Sequence, residues 1–109
     1  MAIQHKTLAQ GKWRELSLVE QMGNIGSEVS RAIKWRNTDS QIFQRAIERA
    51  LELIDLTVTD PRWCKRLKEI LRMREFFCEA AFGVNGYGLS LEDLERYFFD
   101  FALAARKPR

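Results

Sequence analysis

Residues 62–74 hold Arg62, Lys65, Arg66, Lys68, Arg72 and Arg74 against a single acid, Glu69. On a helix, Lys65, Lys68 and Arg72 fall at i, i+3 and i+7 and share a face, with Arg62 close by. Such a row can track a phosphate backbone of RNA or DNA, each contact adding salt-dependent affinity. The alternative is a solvated face that pairs with acids of the preceding helix, such as Glu48 and Glu52. Arg74 differs from the other cations. It projects near the centre of an apolar stripe of Leu67, Ile70, Leu71 and Cys78, where an unpaired guanidinium would be very costly. A buried ion pair, or a snorkelling side chain, is therefore expected at Arg74, with Glu28, Glu52 and Asp55 as candidate partners, and an anion-binding or catalytic role as the alternative.

Other residue patterns offer less chemistry. The single histidine, His5, stands in the N-terminal arm, so histidine-based acid–base work and multi-histidine metal sites lack their usual residue. Cys64 and Cys78 are fourteen positions apart on one predicted helix, about 21 Å along its axis, too far to pair. Both fall on its apolar stripe and are expected to be buried free thiols, which favours a reducing compartment. Gly83 to Gly88 is glycine-rich but lacks the Lys-Ser/Thr ending of a phosphate loop and follows no strand. Glu48, Glu52 and Asp55 share a face, yet Arg45 and Arg49 beside them make helix ion pairs the simpler reading. A protein with no catalytic residues, no metal, no cofactor and no identified small-molecule substrate is expected.

These residues need elements to carry them, and the apolar spacing is helical throughout. Leu18, Met22, Ile25, Val29 and Ile33 form one stripe behind a Ser17–Glu20 capping box. Gly23 and Gly26 weaken that helix by about 1 kcal/mol each, which predicts close approach of a neighbour. Phe43, Ile47, Ala50, Ile54 and Val58 mark a second helix over about 41–59, after a cap in residues 37–40. Asp60-Pro61 opens a third, predicted from Pro61 to about Phe82 and closed by Gly83. Ser90, with Asp93 in capping-box position, opens a fourth with a stripe of Leu91, Leu94, Phe98, Phe101 and Ala105. Short connections favour antiparallel neighbours, hence an all-α, antiparallel up-down four-helix bundle. Residues 1–14 read as a flexible N-terminal arm, 15–106 as the single bundle domain and 107–109 as a basic tail.

Apolar residues also appear where these stripes predict water. Trp35, Leu53, Leu56, Met73, Phe76, Phe99 and Leu103 lie off the inner faces, which predicts burial against a second copy or another protein. The formal charge of +3 comes from the ends: residues 1–14 and 106–109 carry six basic residues and no acid, leaving twelve basic against fifteen acidic elsewhere. A generally basic, nucleic-acid-coating surface is thus not implied. No apolar run reaches membrane-spanning length, and the N-terminus lacks a signal-peptide core. A cytoplasmic protein with no membrane partner is expected.

Two segments together, Leu18-Val-Glu-Gln-Met22 through Arg31-Ala-Ile33 and Phe43-Gln-Arg-Ala-Ile-Glu-Arg-Ala-Leu-Glu-Leu53, resemble a known group. It is the bacterial four-helix-bundle proteins found in ribosomal RNA intervening sequences, with relatives that serve as accessory variability proteins of retroelements. The resemblance covers roughly residues 15–80 and is one of pattern, without a diagnostic motif. It implies an up-down bundle, assembly into rings such as pentamers, no enzymatic activity, and a positive surface that engages nucleic acid and a reverse transcriptase. The chain departs from the group in its short, glycine-free loop after the first helix and in its mildly acidic body. The reading is a self-associating, non-enzymatic scaffold that engages a protein or ribonucleoprotein partner. The alternative is a direct nucleic-acid-binding module.

Overall fold

In a computed structural model of the chain, residues 11–83 and 88–106 are described. The described residues are all-helical, with four long helices: α1 (Leu18–Trp35), α2 (Ser40–Val58), α3 (Leu67–Phe82) and α4 (Leu91–Arg106). His5, most of the arm, the centre of the glycine-rich loop, the Ala105 side chain and the tail at 107–109 lie outside the described residues.

Three of the four long helices, α1, α2 and α4, begin where a side chain supplies partners for their free amides. The Ser17 hydroxyl accepts from the Glu20 amide, and Glu20 accepts from the Ser17 amide in return. Asp39 accepts from the amides of Gln41 and Ile42, and Ser90 and Asp93 form a second reciprocal box ahead of α4. Gly83 ends α3 at φ 67°, donating its amide to the Glu79 carbonyl. That left-handed turn suits glycine, which has no β-carbon to clash.

The third helix departs from expectation. Pro61–Arg66 is a 3-10 helix, broken at Trp63 (φ −102°, ψ 18°), and α3 starts only at Leu67. The buried stripe of α3 is therefore set by residues 67–82 and centres on Ile70, Met73 and Phe77. Leu71, placed in the stripe by a continuous helix from Pro61, is 42% exposed, and Cys64 is exposed as well. Met73 is the converse, a residue expected outside that lies in the core. Leu53 is corrected likewise: α2 buries Ala46, Ile47, Ala50, Leu53, Ile54 and Thr57, a face wider than one stripe. The width follows from packing, because α2 meets α1 on one side and α3 on the other.

α1 packs closely along both α2 and α4, whereas α3 approaches α2 and α4 more loosely. The close approach to α4 depends on Gly26: a β-carbon there would overlap that of Phe98. Met22, Ile25, Val29, Ile47, Ile54, Ile70, Phe77 and Phe98 form the fully buried centre.

Residue 13 also belongs to this core, so the boundary drawn after residue 14 falls too late. Trp13 is 6% exposed, donates through Nε1 to the Thr57 hydroxyl at 2.9 Å, and its carbonyl accepts from Gln21 Nε2 at 2.8 Å. Gln21 in turn accepts from Trp63 Nε1 at 2.9 Å and reaches Asp60 at 3.3 Å. Arg62 donates to Asp60 at 2.7 Å and to the Leu16 carbonyl at 2.8 Å. Gln21, Thr57 and Asp60 are buried, and this network gives each of them partners. Satisfied polar groups of this kind hold segment 13–16 to the ends of α1 and α2.

Candidate functional site

The basic row is divided by the break before α3. Lys65 stands on the 3-10 stretch while Lys68 and Arg72 stand on α3, so the i, i+3, i+7 face of one helix does not form. Arg62 is drawn inward: it pairs with the buried Asp60 and lies over the Trp63 ring at 4.3 Å. The Arg62 hydrogen bond holds the Asp60 carboxyl below the usual aspartate range. Lys65, Lys68 and Arg72 are exposed and have no ion-pair partner among the described residues. The expected pairing with Glu48 and Glu52 is not seen, and Glu52 meets Arg49 instead.

Arg74 finds Asp55, one of its three candidates, across the α2–α3 seam at 2.8 Å. It is not a buried pair, however. The Arg74 and Asp55 side chains are 39% and 53% exposed, because the rotated phase of α3 puts Met73 inward and turns Arg74 toward its edge. Glu28 pairs with Arg31 on its own helix. The Arg74–Asp55 pair is a surface strut between two helices.

Among the apolar residues expected outside, Leu56 and Phe76 are half-buried and pack against the core, and Trp35 is half-buried with the Lys34 ammonium 5.5 Å above its ring. Phe99 and Leu103 do reach solvent, at 58% and 43% exposure, one helical turn apart on α4. Beside them runs a groove of about 480 Å³ between α1 and α4, floored by Gly23, Gly26, Ser27 and Ser30 and flanked by Glu95 and Arg96. Small residues on α1 make this groove, since their side chains do not rise to fill it.

A second cleft, of about 460 Å³, lies where α3 and α4 stand apart. Its walls are Met73, Phe76, Leu89, Leu94 and Tyr97, with Arg72, Glu69 and Asp93 contributing charge. Glu69 is bridged to Arg66, and Asp93 is held by Arg96 and the Ser90 amide. Tyr97 stands edge-on to Phe98 and Phe101, and burial raises its hydroxyl pKa.

Sequence reasoning missed both the Trp13–Gln21–Thr57–Asp60–Trp63 network and the α3–α4 cleft. The network's contacts span up to 44 positions, and no local pattern marks them. Asp60 was legible as a cap, and its side chain does accept from the Arg62 amide, but its role as the network's buried anion was not. Among the described residues no cluster of His, Cys, Asp or Glu is suited to hold a metal ion, and no helix is long and apolar enough to cross a membrane. Compared with known proteins, the chain matches no family model, and no curated protein or solved structure shows significant similarity.

Proposed function

We propose that this chain is a non-enzymatic interaction module, an antiparallel up-down four-helix bundle that self-associates and scaffolds a protein or ribonucleoprotein partner in the cytoplasm. The observation that carries the reading is the paired exposure of Phe99 and Leu103 beside the α1–α4 groove. Contiguous apolar surface next to a recess favours burial against another protein surface. The up-down arrangement is supported by contacts between opposite helix ends. Gln21 near the start of α1 meets Asp60 just past α2, and Arg36 after α1 pairs with Glu92 at the start of α4.

Sedimentation velocity across a micromolar range tests the reading. An oligomer is expected, and Phe99→Glu with Leu103→Glu is expected to shift it toward monomer without loss of helicity. A monomer at every concentration would sink self-association. A nucleic-acid-binding reading has support from Lys65, Lys68 and Arg72, three exposed cations without ion-pair partners among the described residues. Its signature is RNA affinity that falls steeply with salt and is lost on charge reversal at those three positions.

A further inference from the structure

We infer that the cleft between α3 and α4 is a binding site for a small amphipathic monoanion, an apolar body bearing one carboxylate. The cavity is about 460 Å³, in the range that holds small organic ligands between helices. Five of its lining residues are apolar or aromatic: Met73, Phe76, Leu89, Leu94 and Tyr97. The charges around it sort by occupation. Both wall carboxylates are engaged, Glu69 by Arg66 at 3.0 Å and Asp93 by Arg96 at 2.7 Å. Arg72, on the same wall, has neither an ion pair nor a hydrogen bond among the described residues.

An unengaged guanidinium beside an apolar recess complements a ligand with a charged end and an apolar end. The site selects against other classes. A cation would meet Arg72 directly, and a dianion such as a phosphate monoester would carry a second charge toward Glu69 and Asp93. A neutral apolar molecule would gain nothing from Arg72, which is exposed and hydrated in the free protein. A medium-chain fatty acid or an aryl carboxylate fits each of these conditions. The looseness of the α3 contact with α4 gives this cleft its room, so the site is a consequence of how α3 packs.

Calorimetric titration of the full chain with decanoate, decanol and decyltrimethylammonium tests the inference. Decanoate is expected to bind most tightly and decyltrimethylammonium least. Arg72→Gln should weaken decanoate about tenfold while leaving decanol unchanged, the size expected for one charge-assisted hydrogen bond. Leu89→Trp should fill the cleft and abolish binding of both, and Lys68→Gln, outside the cleft, should change neither. Amide chemical shifts of the wild-type chain should move on decanoate addition at residues 72–76 and 89–97, a readout that needs no variant. The inference is overturned if decanoate fails to bind at millimolar concentration, or if Arg72→Gln and Lys68→Gln weaken it equally. It is also overturned if an oligonucleotide displaces decanoate, since the cations then serve a polyanion.

Discussion

Two arginine–aspartate pairs, almost equal in length, do different work in this protein. Arg62 meets Asp60 at 2.7 Å and Arg74 meets Asp55 at 2.8 Å. The Asp60 side chain is fully buried and accepts from Gln21 and from the Arg62 amide as well, whereas the Asp55 side chain is 53% exposed. Distance is therefore a poor guide to worth. An ion pair shared with water contributes little, because solvent already stabilises both charges. A buried carboxylate embedded in a network is costly to orphan, and so it fixes its surroundings.

The sharpest break of this contrast is Trp13→Ala, which empties a buried indole site and leaves the Thr57 hydroxyl without its donor. A loss of about 3–5 kcal/mol in urea unfolding is expected. Asp60→Ala comes next, at about 3 kcal/mol, with Arg62 free to turn partly toward water. The pair also predicts a pH dependence. The folded-state pKa of Asp60 is lowered, so its contribution is fully present above the unfolded value of about 3.9 and is lost as pH falls through the lower folded value. The stability gap between wild type and Asp60→Asn should accordingly shrink on acidification. A gap that stays constant would place the carboxyl outside the network's energetics.

Gly26→Ala tests a different seam at an intermediate size. Its new β-carbon would press on Phe98 and cost about 1–3 kcal/mol, by thermal or urea unfolding, as α1 and α4 move apart. At the small end, Arg74→Ala and Asp55→Ala should each cost less than about 1 kcal/mol, with the difference from wild type fading in high salt. A larger, salt-resistant loss at Arg74 would restore the buried-pair reading and erase the contrast between the two regions.

Helical class, both capping boxes, a cap within residues 37–40, the Asp60 cap and the Gly83 stop were legible in the sequence because each depends on residues within a turn or two; that Asp39 is the residue that caps α2 came from the structure. The stripe of α1 was equally legible, as was the need for a close neighbour at Gly26. The phase of α3 was not. It depends on where the 3-10 stretch gives way to α-helix, and that break lies among residues drawn toward Asp60 and Gln21 by long-range contacts. The same cause moved Met73 inward, Leu71 and Cys64 outward, Arg74 to the seam, and Arg62 out of the basic row. Of the expected surface residues, the exposure of Phe99 and Leu103 was legible because α4 begins at a local box that sets its phase. Spacing along the chain thus determined the helices and their caps. Tertiary structure decided which face of α3 is buried, that residue 13 belongs to the core, and where the two clefts open, because those outcomes rest on packing between segments far apart in sequence.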